Sequence, residues 1–130
     1  MKLPNAPSSI TGFFLYGPPD YTSEIDVEIY NDSSRRMAFY STYAGGAQTH
    51  TEEKSLPFDP TDGFHEYRFE YAPDSIRFYA DGQLTKEWTD GLPTDSMRLY
   101  VNAWYPAWLE GRKANKDRYV LVDSIRHATP

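Results

Sequence analysis

The 130-residue sequence predicts an all-β fold, arranged as a sandwich or barrel of antiparallel sheets. Short runs in which apolar and polar residues alternate recur about every 8–12 residues, the spacing that many short strands give. Glycine, proline, asparagine and aspartate separate these runs, and no segment keeps a helical period. The length fits one domain, residues 1–130, with enough chain to bury a hydrophobic core.

The alternating runs predict nine strands in chain order. The clearest turn signal is Asp81-Gly82. A two-residue type I′ hairpin needs positive φ at both central positions, and Asp-Gly is a preferred pair for that conformation. The predicted strands are Gly12–Tyr16, Glu24–Tyr30, Met37–Tyr43, Thr49–Leu56, His65–Tyr71, Ser75–Ala80, Gln83–Trp88, Met97–Ala103 and Tyr119–Arg126.

Composition excludes several classes of function. The formal net charge is −6 and no basic run occurs, which argues against nucleic acid as a partner. The chain has no cysteine, which excludes disulfides, thiolate chemistry and cysteine-based zinc sites. No apolar stretch reaches membrane-spanning length, and the segment Met1–Pro4 does not have the pattern of a signal peptide. We therefore expect neither a nucleic-acid partner nor a membrane partner.

Three carboxylates form the most informative pattern in the sequence. Glu24, Asp26 and Glu28 alternate with β-branched apolar residues, which predicts a strand with one acidic and one apolar face. Like charges on one strand face repel, so a functional use is expected. Glu24 and Glu28 could bring their carboxyl groups to about 5–5.5 Å, the separation found in retaining glycosidases. A solvated acidic face or a divalent-cation site remains the alternative.

A second polar face lies near the end of the chain. Arg98, Tyr100, Asn102 and Trp104 alternate with apolar residues in the predicted strand Met97–Ala103 and just after it. Such a face suits sugar, because sugar rings lie flat on aromatic side chains while their hydroxyls take hydrogen bonds. The alternative is that Tyr100 and Trp104 cover a second hydrophobic layer. Trp108 lies in a following loop, where it either covers a sugar subsite or packs beneath the loop.

Four motifs, in order along the chain, resemble signature segments of glycoside hydrolase family 16, the β-jelly-roll glucanases and transglycosylases. They are Glu24–Glu28, which matches E-[IL]-D-x-E; Gly63–Phe69, which matches GFHxYxF; Phe78–Gly82, which matches FYVDG; and Asn102–Trp104, which matches N-x-W. The resemblance implies an antiparallel β-sandwich of the concanavalin A-like jelly-roll type and activity as a retaining endo-β-glucanase.

The resemblance also implies residue roles. Glu24 corresponds to the nucleophile, Asp26 to a helper carboxyl group, and Glu28 to the general acid/base. Asn102 and Trp104 correspond to residues that line the cleft. By the same resemblance, catalysis is expected to require no cofactor.

Asp123 is weakly similar to a family aspartate that binds a structural calcium. The alternative is an exposed or turn-capping aspartate.

Substrate preference follows from details of the acidic strand. Its three carboxylates have no extra residue between them, which is typical of lichenases and xyloglucan transglycosylases and favours β-1,3-1,4-glucan or a related β-glucan. Lichenases often have a tryptophan two residues before the nucleophile, where this chain has Thr22. Loss of that tryptophan weakens a stacking contact in the sugar site unless Tyr21 or Tyr43, both candidate substrate-binding residues, replaces it.

Length is the largest departure from the family, because sandwiches of this kind run to about 200–250 residues. The four motifs belong to the family's second half, so an incomplete sandwich lacking the N-terminal portion is expected. An exposed sheet edge could then drive self-association. For the intact protein we expect an extracellular or periplasmic location. The alternatives to hydrolysis are a transglycosylase and a non-catalytic carbohydrate-binding or inactive truncated domain.

Overall fold

The computed structural model describes residues 1–128 and confirms the all-β prediction. No helix occurs among these residues. It follows that none of them forms a helix long and apolar enough to cross a membrane. The strands are β1 (Ile10–Tyr16), β2 (Glu24–Tyr30), β3 (Met37–Ala44), β4 (Ala47–Ser55), β5 (Tyr67–Ala72), β6 (Ser75–Ala80), β7 (Gln83–Trp88) and β8 (Arg98–Trp104).

The strands form two antiparallel sheets packed face to face. The larger sheet has five strands in the order β4-β3-β2-β1-β8, and the smaller has three in the order β5-β6-β7. The acidic strand β2 is therefore central in the larger sheet, whereas β8 forms its edge. β2 pairs with β1 and β3 without a register shift, so the unbulged acidic strand expected from the sequence is confirmed.

Period-two alternation places the apolar side of β2 in the core. Ile25, Val27 and Ile29 are buried and pack in one cluster with Ile76 and Phe78 of β6. Side chains on successive strand residues point to opposite faces, so this packing directs the three carboxylates to the outer face of the larger sheet.

The predicted hairpin at Asp81-Gly82 is confirmed. The two residues join β6 to β7 with φ angles of 46° and 74°, as a type I′ turn requires. Glycine adopts this conformation without a Cβ clash. Asp81 also accepts a hydrogen bond from the backbone N–H of Glu66, which ties the hairpin to the start of β5.

The prediction of a ninth strand over Tyr119–Arg126 is wrong. Within the described chain, the pairing in this segment is an isolated antiparallel bridge between Lys2 and Leu121. A strand needs a neighbour that offers hydrogen bonds along its length, and none of residues 1–128 does so here. The start of β5 also differs, because the backbone N–H of His65 bonds to the carbonyl of Met1 and the strand begins at Tyr67.

Burial across the inner face of the larger sheet is uneven. Val27 on β2 is 1% exposed, whereas Leu99, on the same face of the edge strand β8, is 38% exposed. The three-stranded sheet thus covers the centre of its partner and leaves the side at β8 partly open. Leu121, Val122 and Ile125 are exposed as well.

Candidate active site

The three carboxylates line an open pocket on the outer face of the larger sheet. Strand register places Tyr43 beside Glu24, and it places Gly12 between Glu28 and Asn102. The pocket has a volume of about 270 Å³ and is lined by Phe14, Glu24, Asp26, Glu28, Tyr43, Asn102 and Trp104.

Asp26 is the most buried of the three acids, with 7% of its surface exposed. Burial, followed by the negative charge of Glu24, raises the pKa of Asp26 to about 9. Asp26 is therefore protonated at neutral pH and can donate a hydrogen bond to Glu24. The like charge of Glu28 adds to the same shift.

Glu24 and Glu28 have different neighbours. Burial raises the pKa of Glu24, and its hydrogen bond with Asp26 opposes that rise. Burial also raises the pKa of Glu28, while hydrogen bonding to the Trp104 side chain lowers it and the charge of Glu24 raises it further. The strand thus presents one glutamate supported by a neutral acid and a second supported by an indole.

Tyr43 closes the pocket beside Glu24. Gln48 donates a hydrogen bond of 2.8 Å to its hydroxyl oxygen. Burial, followed by the charges of Asp26 and Glu24, raises the pKa of Tyr43, which keeps the hydroxyl protonated. Of the two tyrosines expected to replace the missing tryptophan contact, Tyr43 lines the pocket and Tyr21 does not.

Four other residues predicted to bind substrate surround the pocket without lining it. Tyr100 stacks on Phe14 with ring centroids 5.3 Å apart, which supports the pocket wall. Tyr21 packs against Tyr16, at 4.6 Å between centroids. Arg98, on β8, is the cross-strand partner of Tyr16. At the opposite end, Trp108 meets Phe39 edge to face at 5.9 Å.

Sequence reasoning missed Phe14, which lines the pocket, and Gly12, which lies between two lining residues in the sheet. In β1, the consecutive residues Phe13 and Phe14 are both aromatic, so alternation alone cannot say which of them faces the core. The register settles it, since Phe14 pairs with Asp26 and Phe13 pairs with Val27. Gly12 has no side chain to signal a role.

A calcium site at Asp123 stays a prediction. The Asp123 side chain is exposed. Among residues 1–128, no group of three or more histidine, aspartate or glutamate side chains is placed to hold a metal ion.

The sequence model of glycosyl hydrolases family 16 matches residues 1–123 of this antiparallel sandwich. The chain belongs to this family.

Its relatives include bacterial β-glucanases. The chain is 32% identical over 125 residues to the beta-glucanase of Bacillus subtilis strain 168, an alignment that covers 91% of this chain and 51% of the relative. It is 33% identical over 125 residues to that of Bacillus amyloliquefaciens, covering 91% and 52%. The chain thus spans about half the length of these curated relatives.

A solved structure supports the same relationship. The beta-glucanase of Bacillus licheniformis superposes with a TM-score of 0.78 at 27% identity, covering 90% of this chain and 57% of that one. A beta-1,3-1,4-glucanase (lichenase) from a mouse hindgut metagenome gives a TM-score of 0.77 at 26% identity, with coverages of 91% and 57%.

Proposed function

We propose that the pocket hydrolyses a β-glucan with retention of anomeric configuration, and that β-1,3-1,4-glucan is the preferred substrate. The observation that carries the proposal is the set of three carboxyl groups on one face of β2 that line one pocket, in which Glu24 and Glu28 have different neighbours. Carboxyl groups with different ionisation on either side of a bound sugar are what double displacement requires.

Glu24 is the proposed nucleophile. Its carboxylate attacks the anomeric carbon, and the glycosidic bond breaks as Glu28 donates its proton to the leaving oxygen. The result is a covalent glycosyl-enzyme intermediate on Glu24. Glu28, now ionised, takes a proton from water, and that water displaces Glu24 from the sugar. The hydrogen bond from neutral Asp26 helps keep Glu24 ionised between turnovers.

The proposed sugar contacts come from the pocket wall. Tyr43 and Asn102 offer hydrogen-bonding groups, and Trp104 offers an aromatic face beside Glu28. Around the rim, Tyr21, Arg98, Tyr100 and Trp108 remain proposed contacts for sugars further from the scissile bond. Preference for β-1,3-1,4-glucan is supported by the lichenase among the similar structures and by the regular, unbulged form of β2.

The test is incubation of the chain with barley β-glucan, followed by reducing-sugar assay and proton NMR of the product formed first. The β-anomer is expected.

Glu24→Ala should abolish hydrolysis, and azide should restore cleavage of an activated glycoside as the α-glycosyl azide. With Glu28→Ala, azide should give the β-azide instead. Glu70→Ala, an exposed position in the smaller sheet, is the matched control and should retain activity. First release of the α-anomer would refute these roles.

A second candidate is a carbohydrate-binding domain without turnover. Binding of β-glucan oligosaccharides without release of reducing ends would support this function over hydrolysis. Transfer to an added oligosaccharide acceptor would instead indicate a transglycosylase. Extracellular or periplasmic location of the intact protein stays a prediction.

A further inference from the structure

Gly12 interrupts an otherwise bulky row on the pocket side of β1. That row contains Ile10, Gly12, Phe14 and Tyr16, and Gly12 is the member that pairs with Glu28 on one side and Asn102 on the other. A residue with no side chain therefore lies between the proposed acid/base and an amide from the edge strand.

The backbone at this position does not call for glycine. Gly12 is not among the residues with positive φ, so other amino acids could adopt its conformation. Glycine inside a strand costs stability, and it often marks a close approach of another group. Glycine is therefore explained at this position by the lack of space for a side chain, and not by the backbone conformation.

The approaching group is the Asn102 amide. A Cβ added at Gly12 would lie 2.7 Å from Asn102 Oδ1 and 3.3 Å from Cδ1 of Phe14. The first distance is shorter than real side chains tolerate, so the amide would have to move. Asn102 lines the pocket and is exposed, which leaves its amide available to a bound molecule.

We propose that Gly12 is a positioning residue that makes room for the Asn102 amide at the pocket floor, where Asn102 hydrogen-bonds a hydroxyl of the sugar bound beside Glu28. This proposal rests on the proposed function for the identity of the ligand. The placement of Asn102 by Gly12 does not depend on turnover and can be measured separately.

The experiment compares four variants: Gly12→Ala, Asn102→Ala, the double variant, and Gly63→Ala as a control. An added Cβ at Gly63 would have His65 Nε2 as its nearest neighbour, at an ordinary 3.9 Å, and the backbone φ there is not positive. The Asn102 side-chain amide signals in a ¹⁵N–¹H spectrum are assigned by their loss in Asn102→Ala. They should shift in Gly12→Ala and stay in place in Gly63→Ala.

The second measurement is binding of a mixed-linkage β-glucan tetrasaccharide. Gly12→Ala and Asn102→Ala should each weaken binding by roughly three- to tenfold, the loss expected for one hydrogen bond. The double variant should bind no more weakly than Asn102→Ala alone, because the alanine at position 12 then has no amide to displace.

Unshifted Asn102 signals in Gly12→Ala, or losses that multiply in the double variant, would overturn the proposal. If the unmodified chain does not bind the tetrasaccharide, the proposed function fails and the sugar contact fails with it. The amide signals would still decide whether Gly12 sets the position of Asn102.

Discussion

Trp104 on the edge strand β8 and Glu28 on the central strand β2 line the same pocket, and the Trp104 side chain lowers the pKa of the Glu28 carboxyl group. One strand, β1, lies between them, and it presents Gly12 rather than a large side chain beside Glu28. The indole therefore acts across a strand on the residue proposed as acid/base.

Replacing Trp104 should change the ionisation of Glu28. An indole N–H stabilises the charged carboxylate, so Trp104→Phe should raise the pKa of Glu28 and move the alkaline limb of the activity profile to higher pH. The pH dependence of kcat/KM measures the shift, and ¹³C NMR titration of the glutamate carboxyl groups measures it without turnover. Tyr119→Phe, at an exposed aromatic residue outside the pocket lining, is the control. A limb that moves to lower pH would contradict the assignment.

Asp26→Asn should stabilise the fold at alkaline pH. Asp26 has a folded-state pKa raised by burial and by Glu24 to about 9, so its contribution to folding is greatest below its unfolded-state pKa, near 4, and declines as pH rises to about 9. Asparagine resembles the neutral acid and has no proton to lose.

The comparison is urea unfolding of both proteins from pH 5 to pH 9. The variant should have a flatter profile and a higher free energy of unfolding at pH 9. Asp74→Asn, at an exposed turn, should leave the wild-type slope unchanged. A variant with the same slope as the wild type would show that Asp26 is ionised in the folded protein. In activity, Asp26→Asn should be milder than either Glu24→Ala or Glu28→Ala.

Most of the fold could be predicted from alternation and turn chemistry. Eight of the nine predicted strands are present. In runs such as Glu24–Tyr30, the alternation of apolar and polar residues indicates both a strand and which of its faces is buried. Tyr119–Arg126 has similar alternation and forms no strand among the described residues. Alternation describes which side of a segment can be buried, and it does not supply the neighbouring strand that pairing needs.

The three carboxylates of the candidate site could be predicted from the sequence, whereas the other residues that line the pocket were harder to predict. Glu24, Asp26 and Glu28 share a face by strand period alone, and the pocket brings them together. Whether Trp104 or Tyr21 lines the same pocket depends on which strands lie next to β2 and in what register. That information is long-range, and a single sequence carries it only through resemblance.

His65 should make stability pH-dependent in a different range. Burial opposes charging of this residue, but its hydrogen bonds to Asp81 and Asp62, at 2.8 and 2.9 Å, raise its pKa above the usual 6.5. A raised folded-state pKa gives stabilisation that is fully present below the unfolded-state value and is lost as pH rises through the folded-state value.

His65→Asn should therefore cost about 1–2 kcal/mol of unfolding free energy near pH 5.5 and less near pH 8.5. Urea unfolding at the two pH values measures the difference. His127→Asn provides the control, since that side chain is exposed. An equal cost at both pH values would mean that the positive charge of the His65 ring contributes nothing to stability.

The open inner side of β8 should support self-association. Leu99→Lys places a charge on this exposed apolar face and should reduce any dimer seen by sedimentation velocity. Leu84→Lys provides the matched control, since Leu84 is exposed on the smaller sheet, at β7. If both variants lower the association equally, or if the wild type is monomeric at all concentrations, the β8 surface is not an interface between copies.

The residues that line the pocket lie on strands that differ in how many neighbouring strands they are hydrogen-bonded to. The carboxylates lie on β2, which is bonded on both sides, whereas Asn102 and Trp104 lie on β8, which among the described strands is bonded only to β1. Edge strands open more readily than central ones, so amide exchange at β8 should be faster than at β2. On warming, β8 with Asn102 and Trp104 should separate from the sheet before the carboxylates of β2 are disturbed. Oligosaccharide affinity should then decline at temperatures where the rest of the fold is still intact.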